Sequence, residues 1–424
     1  MQERLLHFIW QNKLFNTKDL KTIDGNDLQI IEFGKYNKDG GPDFWHAKIK
    51  IDDIILIGNI EIHVNTSDWK KHQHQHDRKY DTVILHVVYF NDETAITIPT
   101  LELNSLIPKI LLDKYEAMMH QSEILICKNL LNEVDTFTIE NWKERLVIER
   151  LERKSNEILT NLKKNNNDWE KTCYHLLGKY FGSHINKEPF ELLTHYLDYK
   201  ILLKHQDNIF QMEALLYGVA GFLNKDFVEI YPRTLKQEYR FLKQKYDLKE
   251  VREHHWQLFR IRPISFPTIR LAWFAQVLQQ MPLMHKIISN ETHELLENTD
   301  VSVYWQQHYI FDKLCKTTSK HLGHEFKATL IINVFAPTIF AYGRFLNDEK
   351  YIENAIDLLY KIEAEQNTKT HVFNHANLPQ ISAFDTQAMI ELHDCYCTQK
   401  RCLECGIGNK ILRMQNTTSF SNIH

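Results

Sequence analysis

The stretch that decides the fold runs from residue 43 to residue 64 and reads DFWHAKIKIDDIILIGNIEIHV. Apolar and polar residues alternate on both sides of Asp52-Asp53, which is the pattern of two β-strands joined by a tight hairpin turn. Such a hairpin brings Asp43 opposite Glu61, with the two side chains about 5 Å apart. Because acids are disfavoured in strands and an unpaired buried carboxylate is costly, this pair requires a physical reason.

A divalent cation between the two carboxylates is the reason that we favour. Like charges at this spacing repel each other, and Mg²⁺ or Mn²⁺ takes oxygen ligands. Since side chains alternate along a strand, His63 shares the face of Glu61, whereas Ile60 and Ile62 point to the core. We predict that Asp43 and Glu61 bind the cation and that His63 orients or deprotonates a water for hydrolysis. The alternative is a turn start at Asp43 and a solvated glutamate at a strand end.

The elements around the hairpin are predicted from the same periodicities. Apolar positions at helical spacing predict a helix over residues 3–14, and Thr66-Ser67-Asp68 is a typical start for a second helix that continues to Tyr80. Alternation and β-branched residues predict further strands over residues 28–33, 82–90 and 95–103. The predicted order is therefore helix, strand, strand, strand, helix, strand.

This order, with Pro42-Asp43 followed by Glu61-Ile62-His63, resembles the PD-(D/E)XK nuclease superfamily over residues 1–105. Histidine stands where that superfamily most often has lysine. The resemblance implies an α+β protein with a restriction-endonuclease-like α/β core, in which helices flank a central mixed sheet. It also implies metal-dependent hydrolysis of phosphodiester bonds in nucleic acid.

Residues 69–77, WKKHQHQHD, contain the densest histidine run of the chain. On one helix, His72 and His76 would lie on one face at the spacing of paired zinc ligands, and His74 on another. Three hypotheses remain open: His72 and His76 act beside the acidic pair, they form a separate zinc site, or they are ordinary polar residues. We count His72 and His86, which lies in the following strand, among the candidate catalytic residues.

From about residue 115 onward the pattern is almost entirely helical. We predict a nuclease-like domain over residues 1–112, a helical domain over 113–390 and a cysteine-rich, metal-binding tail over 391–424. In the helical part, Arg262 and Arg270 lie around Pro-Ile-Ser-Phe-Pro at a helix start, where arginines can bind the phosphates of a nucleic acid. An ordinary solvated face is the alternative.

Four of the seven cysteines lie within eleven residues of the tail: Cys395, Cys397, Cys402 and Cys405. Their spacing predicts a closed site of four thiolates, with Zn²⁺ as the first choice and an iron–sulfur cluster as the alternative. Lys400 and Arg401 would lower the pKa of the thiols. Cys397, Cys402 and Cys405 could instead combine with the distant Cys127, and a cluster of thiols without metal is the remaining alternative.

Composition sets outer limits on the function. The 424 residues are 43% hydrophobic and 25% charged, with a formal net charge of −4, so no overall basic character marks the chain for nucleic acid. The first fifteen residues contain charges where a signal peptide needs an apolar core. The longest apolar run, 330–343, is interrupted by Pro337 and is short for a membrane helix. We therefore expect a cytoplasmic protein without a membrane partner, of undetermined oligomeric state.

Nearly the whole chain resembles a bacterial family known as domain of unknown function 2851. The residues that carry this resemblance are Gly41 to Phe44, Gly58 to His63, Ser67 to Trp69 with His72 and His74, Leu85 to Val88, Glu213 to Leu216, Arg262-Pro263 with Pro267 and Arg270, Tyr396-Cys397, Lys400 to Cys402, and Cys405. The resemblance implies that Cys395 is the least typical of the clustered thiols, which favours three tail cysteines and one ligand from elsewhere.

Our functional prediction is a metal-dependent nuclease. The alternative is a catalytically degenerate protein of the same fold that binds nucleic acid or serves as a scaffold.

Overall fold

The computed structural model describes residues 1–93, 96–121, 123–289, 291–297, 299–374, 376 and 378–414. These residues form a mixed α+β protein, with a mixed sheet in the N-terminal part and a large helical region after it, as predicted. The chain divides into two compact units. The first comprises residues 1–143, 371–378 and 390–424, and the second comprises 144–370 and 379–389. This division differs from the predicted domain boundaries, because the cysteine-containing residues after 390 belong to the unit of the sheet.

The sheet of the first unit contains β1 (Leu20–Lys21), β2 (Asp27–Glu32), β3 (Lys35–Tyr36), β4 (Phe44–Ile51), β5 (Ile54–Asn65), β6 (Val83–Phe90) and β7 (Thr100–Glu102). Its strand order is β1-β2-β4-β5-β6-β7, and β3 pairs with one end of β4. The pairs up to β4–β5 are antiparallel, whereas β5–β6 and β6–β7 are parallel. The strand that we predicted over 95–103 is shorter, and Thr94 and Ala95 lie outside the described residues.

The predicted hairpin is confirmed. Ile51 pairs with Ile54 across the Asp52-Asp53 turn, and Phe44 pairs with Ile60 at the far end of the ladder. A β-bulge between Phe44 and Ala47, where His46 has a φ of 59°, shifts the register by one residue. Because of this shift, Asp43 comes beside Glu61.

The first helix, α1 (Glu3–Gln11), packs on β5 through one apolar side. Leu6, Ile9 and Trp10 are fully buried, and the indole N–H of Trp10 donates to the carbonyl of Phe33 at 3.0 Å. The amphipathic spacing read from the sequence therefore forms the predicted element, which ends three residues earlier than expected. His7 lies on the same buried side.

The prediction of one continuous helix up to Tyr80 is wrong. The segment consists of a single turn, α2 (Asp68–Lys71), followed by 3₁₀ turns at His74–His76 and Arg78–Tyr80. The helix ends because Gln73 adopts a left-handed conformation, with a φ of 61°. This reversal turns His74 onto the polar face of β5, whereas His76 is exposed.

The remaining helices are, in chain order, α3 (Lys109–Met119), α4 (Thr136–Lys164), α5 (Trp169–Phe181), α6 (Lys187–Tyr196), α7 (Tyr199–Leu203), α8 (Ile209–Val219), α9 (Ile230–Tyr246), α10 (Pro267–Leu278), α11 (Leu283–Ile288), α12 (Thr292–Glu297), α13 (Val303–Gln306), α14 (His324–Leu330), α15 (Ala336–Leu346), α16 (Glu349–Lys361), α17 (Thr368–Asn374), α18 (Ala383–Leu392) and α19 (Gly406–Arg413). Two short strands, β8 (His308–Ile310) and β9 (Lys313–Leu314), pair within the second unit. Helices α6 and α7 are separate, because Asp198 caps the start of α7.

One helix in the described part of the chain is long and apolar enough to cross a membrane by length and composition. It covers residues 324–346 and continues through Pro337, because the π-helical turn Ile331–Phe335 precedes the proline and accommodates its missing N–H. The expected interruption at Pro337 is therefore absent. About two thirds of its apolar 18-residue window is buried inside the protein, as in a core helix.

Candidate metal and active site

The hairpin brings the two predicted acids into one site. The backbone N–H of Asp43 donates to Oε2 of Glu61 at 3.2 Å, and the N–H of Ile62 donates to Oδ2 of Asp43 at 2.9 Å. Each carboxylate is thus held by the backbone next to the other. The Glu61 side chain is only 7% exposed.

Glu61 is in an environment that disfavours its charge. Burial, and after it the neighbouring carboxylate of Asp43, raises the pKa of its carboxyl to about 9. A buried carboxylate beside a second acid is stabilised most by a bound cation; without one, it is stabilised by taking up a proton. This electrostatic situation is the one that the sequence predicts for a metal site.

His7 adds a nitrogen to this site that the sequence analysis missed. Its Nε2 atom lies 3.2 Å from Oδ2 of Asp43, without the geometry of a hydrogen bond. Both ring nitrogens of His7 are buried and make no hydrogen bond to any described residue. A buried imidazole next to the carboxylate of Asp43, with its nitrogens unsatisfied, has the donor chemistry of a metal ligand.

A chain of imidazoles continues from the acids into the sheet. His63 Nδ1 lies 2.9 Å from His86 Nε2, and His63 Nε2 lies 3.1 Å from His72 Nδ1. Burial, followed by the neighbouring histidines, lowers the pKa of His63 to about 2, and burial lowers that of His86 to about 4. His63 is therefore a neutral ring with both nitrogens engaged. His72 is the exposed end of this row of imidazoles.

His74 completes a second group of atoms that could hold a metal ion. The nearest ring nitrogens of His63, His72 and His74 all lie within 4.8 Å of one another. His74 Nε2 is 3.3 Å from Oε1 of Glu61, and its ring stacks on Tyr80 at 3.8 Å. Glu61 therefore contacts both groups: it lies beside Asp43, which His7 approaches, and beside His74 of the three-histidine group. The predicted partner His76 is not in this group.

The structure separates the two arginines that we predicted to bind nucleic acid. Arg262 is exposed before α10. The guanidinium of Arg270 lies 3.9 Å over the ring of Phe326 and 3.5 Å from the carbonyl of Phe181. Burial lowers the pKa of Arg270 to about 10. Its head group is thus used in packing, a role that the sequence cannot distinguish from phosphate binding.

A groove of about 480 Å³ is lined in part by His7, the residue that approaches Asp43. Its basic residues are Arg4, Lys38, Lys400 and Arg401, and its aromatic rings are those of Tyr36 and Tyr115. Arg4 and Lys38 are exposed, whereas Lys400 donates to the carbonyl oxygens of Met119 and Gln121. The groove was missed because its residues come from distant parts of the sequence.

Of the predicted site residues, Asp43, Glu61, His63, His72 and His86 come together on one side of the sheet, joined by His7 and His74. A mixed α+β protein with a cluster of carboxylates and imidazoles at its sheet is the class that this fold and site define.

The chain belongs to the family described as "Protein of unknown function (DUF2851)", whose model matches residues 3–368. The cysteines after residue 390 lie outside the matched range. No curated protein and no solved structure gives a significant match.

Proposed function

We propose that this protein is a metal-dependent nuclease in which Asp43 and Glu61 bind a divalent cation. The observation that carries the proposal is the convergence of the buried Glu61 and the half-buried Asp43: the N–H of Asp43 donates to Glu61, and the N–H of Ile62, next to Glu61, donates to Asp43. The raised pKa of Glu61 and the unsatisfied nitrogens of His7 support it, since a cation would relieve both.

The order of elements also supports the proposal. A helix precedes three successively antiparallel strands, β2, β4 and β5, and a helical segment then leads to β6, which is parallel to β5. This arrangement resembles the PD-(D/E)XK layout, with Asp43 at the start of the second strand of the three and Glu61 on the third. We infer a restriction-endonuclease-like core from this order.

The donor set indicates which cations fit. Carboxylates suit Mg²⁺ and Mn²⁺, and imidazole nitrogen shifts the preference toward transition metals. We therefore expect Mn²⁺ to support activity better than Mg²⁺ when His7 is a ligand. The bound cation would lower the pKa of a water and stabilise charge on the phosphate.

The histidines would handle the proton of that water. His63 would not act on solvent directly, because both of its ring nitrogens are engaged. His72 is the exposed ring of the chain, so we assign it the role of proton acceptor, with His63 and His86 holding its orientation. This assignment replaces the lysine of the usual motif by a row of imidazoles.

The basic groove supports a polyanionic substrate. The exposed cations of Arg4 and Lys38 can contact the phosphate backbone of a nucleic-acid strand. The neighbouring tyrosine rings can stack on its bases. The exposed Arg262 of the second unit remains a further candidate contact.

The test is cleavage of labelled single- and double-stranded DNA and RNA with Mg²⁺, Mn²⁺ or EDTA. We expect cleavage only with a divalent ion, and a loss of at least about 100-fold in Asp43→Asn, because a charged ligand is replaced by a neutral one. Asp53→Asn, in the exposed turn of the same hairpin, is the matched control and should cleave normally. Full cleavage by Asp43→Asn would exclude the mechanism. Binding without cleavage, unaffected by EDTA, would favour the scaffold alternative.

A zinc hydrolase is the second candidate, because three ring nitrogens lie within 4.8 Å of one another. In that case His63, His72 and His74 would hold Zn²⁺, with Glu61 beside them. His74→Ala would then remove one equivalent of zinc and the activity together. In the nuclease proposal, by contrast, His74→Ala leaves the binding of Mn²⁺ at Asp43 in place.

A further inference from the structure

Two groups of candidate metal ligands lie in the first unit, and the spacing of their ligand atoms differs. The first group consists of four thiols that line one small apolar cavity: Cys127, Cys397, Cys402 and Cys405. Cys395 does not line this cavity, and burial raises the pKa of Cys402 to about 12 in spite of Lys400, so the predicted lowering is wrong for this thiol. In the described part of the chain, no three of the sulfurs lie within 4.8 Å of one another, whereas the ring nitrogens of three histidines do. The cysteine site therefore stays a prediction, and the histidine group is the one whose spacing fits an ion.

Four donor atoms lie close together on the polar face of β5. The Nε2 atom of His63 is 3.1 Å from Nδ1 of His72 and 3.5 Å from Oε1 of Glu61. The same carboxylate oxygen is 3.3 Å from Nε2 of His74. In a tetrahedral zinc site with bonds of about 2.0–2.1 Å, neighbouring ligand atoms are about 3.3–3.4 Å apart. These contacts thus have the spacing of a zinc site with four protein ligands.

The Nε2 atom of His74 supplies an independent sign of a ligand. It is buried and makes no hydrogen bond to any described residue, although the ring is stacked on Tyr80 with centroids 3.8 Å apart. The side chain of His74 is only 10% exposed. A buried ring nitrogen without a hydrogen bond costs free energy, and a bound cation would remove this cost.

His86 supports His63 on the side away from this group. Nδ1 of His63 lies 2.9 Å from Nε2 of His86, and the ring of Trp69 packs against both imidazoles. A histidine that ligates a metal through Nε2 carries its hydrogen on Nδ1 and usually donates it to a neighbouring acceptor. The pair is therefore suited to hold His63 as a zinc ligand. The exposed ring of His72 gives the ion a path into the group.

The participation of Glu61 makes this a closed site. Catalytic zinc sites keep one position open for water or substrate, whereas four protein ligands leave none. The inclusion of Glu61 therefore separates this site from that of a zinc hydrolase. Three imidazoles also suit zinc better than Mg²⁺ or Mn²⁺, which the neighbouring carboxylate of Asp43 favours.

Zinc in this position would remove the proton acceptor of the proposed nuclease. His72 would ligate through Nδ1, so its other ring nitrogen would carry the hydrogen of the neutral imidazole. That nitrogen would then have no lone pair for the proton of the attacking water. Glu61 would also give one of its two oxygens to zinc.

We propose that four side chains form a closed, inhibitory site for Zn²⁺ beside the catalytic cation: His63, His72, His74 and Glu61. The inhibition rests on the proposed function, because it works through His72 and Glu61. The binding of zinc does not rest on it and is measured separately.

Zinc binding is tested by calorimetric titration of the metal-free, full-length protein with Zn²⁺. Even the loss of an outer hydrogen-bond partner weakens metal binding about 10–100-fold, so His74→Ala should weaken it by at least about 100-fold and bind one equivalent less than the wild type. His74→Phe, which keeps a ring on Tyr80, should behave in the same way. His76→Ala, at an exposed histidine of the same segment, is the matched control and should bind as the wild type does. The same number of equivalents in the wild type and both His74 variants would overturn the proposal.

Inhibition is tested by cleavage with Mn²⁺ in the presence and absence of added Zn²⁺. Zinc should slow the wild type and His76→Ala by about 100-fold, as expected for the loss of a general base. In the His74 variants the ratio of the two rates should stay close to one. Equal sensitivity of all variants, or cleavage by the wild type with Zn²⁺ alone, would overturn the inhibitory site. Absence of cleavage by the wild type with Mn²⁺ would instead refute the proposed function and the inhibition with it, whereas the zinc equivalent missing from His74→Ala would still be observed.

Discussion

At the scale of the residue, a buried acid outside the candidate site gives a prediction about stability. Glu213 on α8 is enclosed in the helical unit and accepts hydrogen bonds from the hydroxyls of Tyr231 and Ser302. Burial raises the pKa of its carboxyl from 4.5 to about 7. Between these two values the folded chain keeps a proton that the unfolded chain has lost.

The free energy of unfolding should therefore fall as pH rises through this window, by about 3 kcal/mol in total from Glu213 alone. This contribution is fully present below pH 4.5 and is lost above pH 7. Glu213→Gln should remove the dependence, as measured by urea unfolding at several pH values. Glu353→Gln, at an exposed position of α16, is the control. An unchanged pH profile in Glu213→Gln would contradict the prediction.

The residues of the site differ in how far local sequence defines them. Asp43 and Glu61 were predictable, because alternation and a turn dipeptide determine their pairing over 20 residues. His7 was not, since its distance to Asp43 depends on how α1 packs against β5. A histidine on the apolar side of a helix carries no local signal that separates a ligand from a core residue.

At the scale of the element, local sequence likewise does not predict the conformation of the segment between β5 and β6. Its composition favours a helix, yet Gln73 takes a left-handed conformation and ends the helix after one turn. The reversal allows the ring of His74 to stack on those of Tyr80 and His63. The packing of these rings decides the backbone here, and helix propensity is too weak to oppose it.

The close approach of β5 and β6 depends on one glycine. A Cβ atom on Gly58 would lie 2.5 Å from both Ile84 Cγ2 and the carbonyl oxygen of Thr82. Gly58→Ala should therefore force the strands apart and lower the free energy of unfolding by about 1–3 kcal/mol. Chemical denaturation measures the change, and Gly40→Ala is the control, because nothing lies within 4 Å of its Cβ position. Equal stability of the two variants would mean that the strands tolerate the side chain.

At the scale of the whole molecule, the two ends of the chain contribute to one unit. Lys114 on α3 donates to the carbonyl of Ile411, and Lys400 donates to that of Met119. Ile411 is fully buried and Leu412 almost so. Local patterns predicted the helices and the clustered cysteines, but not this pairing, since sequence spacing has no information on contacts across 300 residues.

Deletion of residues 391–424 should consequently destabilise the unit that contains the sheet. Removing the buried side chains of α19 and the cysteine segment forfeits about 1.5–3 kcal/mol for each large apolar side chain, which together approaches the entire stability of a typical domain. Hydrogen exchange of the amides of α3 should become much faster, and the proposed cleavage should be lost although Asp43 and Glu61 are intact. Deletion of residues 415–424 removes none of the described contacts and is the control. If α3 stays protected in the longer deletion, the C-terminal segment does not support the sheet unit.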